Sequence, residues 1–243
     1  FYLKKSGGGH ACLHGIKFEP VATSIYEYRN QVRILDFGCI PHSDKSLPFG
    51  ASPDGICSEE NIKYAGRMLE IKCPYSREIN GVIPEMYWKQ IQGQLEVCDL
   101  EYCDFLECKF NEYNDENDFY NDGKNSIREN GLEKGIIISY NDFNNNIQYL
   151  YSEIGISLDN LKIWKDEIID WILDQEELIF VSIIYWKLEI YSCLLVKRDQ
   201  EWFNNQKNEL INIWNDIKFY RQNGIQKLID QKKKKNRRIN LKN

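Results

Sequence analysis

The order of the predicted elements between residues 14 and 110 constrains the fold of this chain more than any other feature. Apolar residues at helical spacing over 14–29 predict a helix, and three segments of strand character follow it. Those strands are predicted over 31–40, 52–57 and 67–73. Pro84 then opens a helix that runs to about Val97, and another strand is predicted over 102–110. Helices and strands in this order indicate an α/β fold, with a mixed sheet flanked by helices.

The rest of the sequence predicts one domain with an insertion and a tail. The chain has 243 residues, 42% of them hydrophobic, which is enough apolar material for one sizeable core. Residues 111–133 are rich in Asn, Asp and Glu and predict a polar insertion. The later elements are two strands (135–140, 147–151), an apolar strand or helix (178–196) and two helices (158–175, 199–221). We therefore expect a single domain over 1–231 and a basic tail over 232–243.

The charge pattern neither indicates nor excludes a nucleic-acid partner. The net charge is −6, but a phosphate-binding groove needs only a local basic patch. The tail carries seven Lys and Arg residues and is either a solvated end or an arm that lies on a nucleic-acid backbone. No run of about 18 apolar residues occurs, so no membrane partner is expected. The chain opens on Phe1 without a recognisable signal peptide, so we expect a fragment of an intracellular protein.

The eight cysteines are expected to be free thiols. A chain with an ample core does not need disulfides, so a reducing compartment is the simpler interpretation. A structural zinc site is the alternative. It is disfavoured because no C-x-x-C pair occurs and the three His residues all lie at or before His42.

Two carboxylates and a lysine form the candidate catalytic group. On a strand, Glu70 and Lys72 point to the same face, while Ile71 points into the core and leaves its carbonyl near the carboxylates. If the strand that carries Asp54 pairs beside this one, two carboxylates and a carbonyl converge. Oxygen donors of this kind suit Mg²⁺ or Mn²⁺. Without a metal, the same residues would form an ordinary ion-pair cluster.

This grouping meets the needs of phosphodiester hydrolysis. A metal would neutralise the phosphate charge and acidify a bound water, and Lys72 would stabilise the nucleophile or the developing charge. Glu19, on the preceding helix, could reach the same pocket and support a second metal or its water. Gln90, near the start of the next helix, could orient substrate or water. Taken singly, Glu19 and Gln90 would also be ordinary residues of a solvated helix surface.

Three motifs in this region resemble a known family. They are GASPDGI at 50–56, LEIKCP at 69–74 and YWKQIQ at 87–92, preceded by the Glu19 helix. In this order they resemble the PD-(D/E)xK nucleases of the phage lambda exonuclease type, and the viral YqaJ-like recombination nucleases in particular. The resemblance covers residues 14–110 and implies a restriction-endonuclease-like core. Residues 196–203 (VKRDQEWF) also resemble the viral members. A viral protein would act in the cytoplasm or nucleus of a host cell.

The resemblance assigns a role to each candidate residue. It implies that the metal ligands are Asp54, Glu70 and the carbonyl of Ile71. It implies that Lys72 is catalytic, that Glu19 supports the site and that Gln90 positions water or phosphate. The implied activity is Mg²⁺-dependent digestion of duplex DNA from an end, 5′ to 3′, with a single-strand annealing protein as partner. A homo-oligomer is also compatible with the resemblance.

One departure from the family pattern concerns DNA-end recognition. Relatives carry an Arg- and Ser-bearing helical segment upstream of the Glu19 helix, which grips the 5′-phosphate. Here thirteen residues precede His14, and Gly7, Gly8 and Gly9 cannot replace that segment. Arg77, just past the Lys72 strand, is the nearest cation without an expected partner, so it is the candidate DNA-binding residue.

Two other functions are compatible with the same motifs. The chain could be a catalytically silent DNA-binding or scaffolding module, although every catalytic residue type is present. It could also be an iron–sulfur relative, with Cys12, Cys98, Cys103 and Cys108 as cluster ligands. The spacing disfavours the cluster, because residues five apart on a strand face opposite sides of a sheet.

Overall fold

The structure is a computed structural model that describes residues 9–123, 125–226 and 228–230. The predicted basic tail over 232–243 lies outside the described residues. The helices are α1 (His10–Asn30), α2 (Glu85–Cys98), α3 (Glu116–Asn121), α4 (Leu158–Leu173) and α5 (Gln200–Asn223). The strands are β1 (Ile34–Leu35), β2 (Ile40–Pro41), β3 (Gly50–Ala51), β4 (Gly55–Cys57), β5 (Met68–Lys72), β6 (Tyr102–Glu112), β7 (Lys134–Asn141), β8 (Ile147–Tyr151) and β9 (Ile179–Lys197).

Seven of these strands form one mixed sheet in the order β1-β4-β5-β6-β9-β7-β8. The β5–β6 pair is parallel, with a register that runs from Met68 opposite Cys103 to Lys72 opposite Glu107. The crossover through α2 makes this parallel pairing possible, since parallel neighbours cannot be joined by a tight turn. The other pairs in the sheet are antiparallel. The predicted fold class, a mixed sheet flanked by helices, is confirmed.

Helices α1 and α2 cover opposite faces of the sheet at β5 and β6. One hydrophobic cluster joins Phe18 of α1 to Leu69 and Ile71 of β5. A second cluster joins Ile91 of α2 to Met68 of the same strand. Because side chains alternate along a strand, Glu70 and Lys72 share the α2 face with Met68. The core therefore fixes the direction of both polar side chains.

The prediction of a single strand over 31–40 is wrong. The structure places only β1 and β2 in this stretch, separated by a turn. Gly38 adopts a φ of +60°, and its N–H donates to Asp36 Oδ1 at 2.8 Å, which is a turn that an extended chain cannot contain. Strands β2 and β3 then pair with each other in a separate two-stranded sheet. Five short strands, rather than three, therefore lie between α1 and α2.

The later elements follow their predicted positions closely. The apolar stretch over 178–196, for which the sequence allowed either a strand or a helix, is a strand. This strand, β9, has 19 residues and pairs with both β6 and β7. The polar stretch over 111–133 contains α3, which buries Phe119 completely in a third hydrophobic cluster together with Leu161 of α4. Among the residues that the structure describes, every helix is too short or too polar to span a bilayer.

Candidate active site

Glu70 and Lys72 form the centre of the site. Both lie on β5, and the Lys72 Nζ donates to Glu70 Oε1. The Glu70 side chain is only 1% exposed, so its charge is compensated by direct partners rather than by water. The Lys72 ammonium also lies 5.3 Å from the centre of the Tyr87 ring. The alternation of β5 thus produces the same-face pair that the sequence predicts.

Asp54 enters the site from the neighbouring strand. It immediately precedes β4, which pairs antiparallel with β5 so that Gly55 lies opposite Leu69. Asp54 Oδ2 accepts a hydrogen bond from the Ile71 N–H at 2.6 Å. The Ile71 side chain is buried in the core, so this residue presents its main chain to the site. The contact that the structure shows is made by the Ile71 N–H rather than by its carbonyl.

Two glutamines of α2 hold the Glu70 carboxylate. Gln90 Nε2 donates to Glu70 Oε1 at 2.7 Å, and Gln94 Nε2 donates to Glu70 Oε2 at 2.8 Å. Residues four apart lie on the same face of a helix, so both amides reach the same carboxylate. Gln94 is buried, and sequence reasoning missed it. Its position one helical turn after Gln90 was the signal that could have revealed it.

The carboxylates of the site repel one another. Burial raises the pKa of Asp54, and the charge of Glu70 raises it further, to about 7. Burial also raises the pKa of Glu19; the charge of Lys72 opposes this shift and that of Glu70 adds to it. Burial lowers the pKa of Lys72, but attraction to Glu70 and the hydrogen bond between them raise it more, so its net shift is upward. Lys72 is therefore charged, and an additional cation would relieve the repulsion between the carboxylates.

This repulsion predicts a pH-dependent effect of Asp54→Asn on stability. Between the ordinary pKa of 3.8 and the folded value of about 7, the folded protein keeps a proton on Asp54 that the unfolded chain has lost. Raising the pH through this window therefore lowers the free energy of unfolding of the metal-free protein. Asn keeps the acceptor for Ile71 N–H but cannot ionise. Urea denaturation in EDTA should show a larger stabilising effect of Asp54→Asn at pH 8 than at pH 5; equal effects would contradict the raised pKa.

Glu19 and Arg77 line a cavity of about 450 Å³ beside this group, which we call the active-site cavity. Lys72, Tyr75 and Tyr87 also line it. Since Lys72 both borders the cavity and donates to Glu70, it connects the open space to the buried carboxylate. Glu19, from the middle of α1, thus lies at the cavity that Lys72 borders.

Arg77 has a partner that the sequence did not reveal. Its Nη2 donates to Glu107 Oε1, and its guanidinium lies 5.7 Å from the centre of the Tyr87 ring. Glu107 is fully buried, and its Oε2 has no hydrogen-bond partner among the described residues. Arg77 is therefore not an unpaired cation. Its position is fixed by a buried carboxylate on β6.

The segment over 196–203 has a structural role beside the site. Arg198 forms ion pairs with Glu96 at 2.7 Å and with Asp99 at 2.8 Å, at the end of α2. Asp199 caps α5 by accepting from the Trp202 N–H at 2.8 Å. The Arg198 ion pairs fix the C-terminal end of the helix that carries the two glutamines of the site.

The donor chemistry of the site fits a hard divalent cation. Asp54 and Glu70 offer carboxylate oxygens and Ile71 a main-chain carbonyl. Magnesium is commonly held in proteins by one or two carboxylates while it retains several waters. In residues 9–123, 125–226 and 228–230, no group of three or more His, Cys, Asp and Glu side chains is close enough to hold a metal by itself. A cation here would therefore depend on the carbonyl and on water.

The cysteines are not arranged as the iron–sulfur alternative requires. All eight are free thiols. Cys103 packs in the cluster on the α2 face of the sheet, whereas Cys108 packs in the cluster on the α1 face. The sheet therefore separates two of the four proposed cluster ligands, as their spacing predicted.

Comparison with known proteins gives a curated relative, solved structures and a family match. The chain is 34% identical over 249 residues to "Uncharacterized protein R354" of Acanthamoeba polyphaga mimivirus, covering 89% of this chain and 45% of that protein. It therefore spans less than half the length of this curated relative. A crystal structure of LHK-Exo in complex with dAMP superposes with a TM-score of 0.49 at 16% identity, over 92% of this chain and 76% of that one. A crystal structure of an alkaline exonuclease (LHK-Exo) from Laribacter hongkongensis superposes with a TM-score of 0.37 at 20% identity, over 69% of each chain.

The family match covers the segment that carries the motifs. Residues 3–101 match the model of the YqaJ-like viral recombinase domain. This range includes Glu19, Asp54, Glu70, Lys72 and Gln90. The motif resemblance is therefore confirmed: residues 3–101 of this chain are similar to the YqaJ-like viral recombinase domain.

Proposed function

We propose that this protein is a metal-dependent deoxyribonuclease. The observation that carries the proposal is the position of Asp54, bound to the Ile71 N–H between Glu70 and Lys72 in the chain, next to the Glu70–Lys72 ion pair and within the segment that matches the recombinase domain. A buried carboxylate paired with a lysine, next to a second, half-buried carboxylate, is costly to maintain in a purely structural role. This cost is explained if these groups serve phosphodiester hydrolysis.

Each residue of the group has a distinct part in the proposed chemistry. When bound, Mg²⁺ would neutralise phosphate charge and activate water as a Lewis acid. Asp54, Glu70 and the Ile71 carbonyl would hold it, with Mn²⁺ as a substitute. Lys72 would stabilise negative charge that develops at the phosphate.

Residues around the group would keep it in position. Gln90 and Gln94 fix the orientation of Glu70 through its two oxygens, and a cation at this carboxylate would compete with Lys72, which also donates to it. Gln90 is also exposed and could contact water or phosphate. Glu19 would act from the cavity wall, and Arg77, already held by Glu107, would contact a phosphate of the DNA.

The finer proposal is a 5′-to-3′ exonuclease that acts on linear duplex DNA in recombination. The description of the matching family supports a recombination role, and the mimivirus relative supports a viral protein that acts inside a host cell. A single-strand annealing protein is the partner that such an activity would require, because resection exposes single strands. The rival proposal is a catalytically silent DNA-binding module with the same fold.

Digestion of labelled DNA separates these proposals. Linear duplex labelled at the 5′ or the 3′ end should be degraded in Mg²⁺ and left intact in EDTA, while covalently closed circles should survive. Early release of the 5′ label indicates the expected polarity, and early release of the 3′ label reverses it. Cleavage of closed circles would identify an endonuclease. DNA binding without metal-dependent release of nucleotides would support the silent module.

A further inference from the structure

Tyr75 places an exposed aromatic ring at the rim of the active site. It follows β5 directly after Pro74, three residues beyond Lys72. The residue is 58% exposed, although it lines the active-site cavity together with Lys72 and Arg77. It also lines a second cavity of about 230 Å³ together with Lys17 and His14. The ring therefore stands between two open spaces, one of which contains the proposed chemistry.

The backbone that carries this ring is held in place. Lys109 Nζ donates to the carbonyl of Tyr75 at 2.5 Å and to that of Pro74 at 3.2 Å. Pro74 also restricts its own φ. On one side, the His14 ring supports Tyr75 edge-on, with centroids 5.3 Å apart and an interplanar angle of 68°. A ring positioned in this way loses little conformational entropy when a planar ligand stacks on it.

Cations surround the ring on both sides. Arg77 and Lys72 border the active-site cavity and Lys17 borders the second cavity, and each is paired with a carboxylate, Glu107, Glu70 and Glu112 respectively. Positive side chains that follow a nucleic-acid backbone, combined with an aromatic ring for the bases, are the usual elements of a surface that binds single-stranded nucleic acid. Hydrophobic packing does not explain the ring, because most of its surface is left in water.

We propose that Tyr75 stacks on the nucleobase of the nucleotide adjacent to the phosphate in the active-site cavity. This inference rests on the proposed nuclease function and names the part of the substrate that the site would contact. A base inside a duplex is already stacked on both faces. Tyr75 would therefore contact a base with a free face, at a DNA end or in an unpaired strand. Every base has such a face, so the contact would be tolerant of sequence.

The test measures binding of a short linear duplex labelled at its far end, with Ca²⁺ replacing Mg²⁺ so that the DNA stays intact. Loss of one base-stacking contact corresponds to about 1–3 kcal/mol, so Tyr75→Ala should raise Kd by about 5- to 150-fold. Tyr75→Phe keeps the ring and should bind like the unmodified protein. Tyr102→Ala is the matched control, because Tyr102 is also an exposed tyrosine, 42% exposed, but lies at the opposite end of the parallel β5–β6 pair.

DNA with a single abasic nucleotide separates stacking from a structural effect. If Tyr75 stacks on one base, removing that base should abolish the difference between Tyr75→Ala and the unmodified protein at one position only. A loss of affinity that is the same at every abasic position, an equal loss in Tyr102→Ala, or no loss in Tyr75→Ala would overturn the proposal. Nucleotide release by the unmodified protein in Mg²⁺ tests the nuclease function separately, so the two failures can be distinguished.

Discussion

Replacing Asp54 with Ala is expected to abolish metal-dependent DNA cleavage, with a fall in rate on the order of a thousandfold or more. Asp54 is one of the two carboxylates proposed to hold the cation, and among the described residues no group of three or more His, Cys, Asp and Glu side chains could hold a metal in its place. Loss of a direct ligand removes several kcal/mol of transition-state stabilisation. Glu70→Ala should have the same consequence, because it removes the other carboxylate.

Single-turnover cleavage of end-labelled duplex measures this effect without a contribution from product release. The matched control is Glu59→Ala, which removes an exposed carboxylate that follows β4 closely in the chain. Circular dichroism and thermal unfolding should show that the Asp54→Ala protein is folded, since removal of a carboxylate from a repulsive group does not weaken the apolar core. Retained cleavage by folded Asp54→Ala protein would exclude Asp54 as a metal ligand.

The direction of the central side chains was predictable because it depends on a local rule. Strand alternation alone places Glu70 and Lys72 on one face and Ile71 in the core. The pairing of β4 beside β5 could be stated only as a condition, because the pairing of strands depends on contacts between distant segments. The two-residue strands around the turn at Gly38 were missed for a related reason: alternating residues favour a strand, but the side chain of Asp36 stabilises the turn.

The residues that sequence reasoning missed are those whose role depends on tertiary contacts. Gln94 is an ordinary residue of a helix until α2 packs over β5 and brings the amide to Glu70. Glu107 is a charged residue in an apolar strand, which suggests an exposed position. The parallel register instead places it opposite Lys72, where it is buried and pairs with Arg77. A short motif does not contain this information.

Lys72→Ala is expected to separate catalysis from metal binding at the same site. The rate should fall by at least about a hundredfold, as for the loss of one preorganised group that stabilises transition-state charge. The affinity for Mn²⁺, measured by calorimetry, should persist or increase. The reason is that Lys72 donates to Glu70, so its removal eliminates a positive charge that would compete with a cation for this carboxylate.

The control for this substitution is Lys89→Ala, which removes an exposed lysine of α2 that pairs with Glu85 one turn away. Exposed pairs of this kind contribute little to stability, so both its rate and its metal affinity should stay close to those of the unmodified protein. Near-normal turnover of Lys72→Ala would mean that the lysine only neutralises Glu70. Loss of metal affinity together with the rate would mean that Lys72 orders the carboxylates before the cation binds. A lower rate with preserved metal affinity is the result that assigns Lys72 to the chemical step. Asp54→Ala should differ from it, because this variant should lose the metal affinity together with the rate.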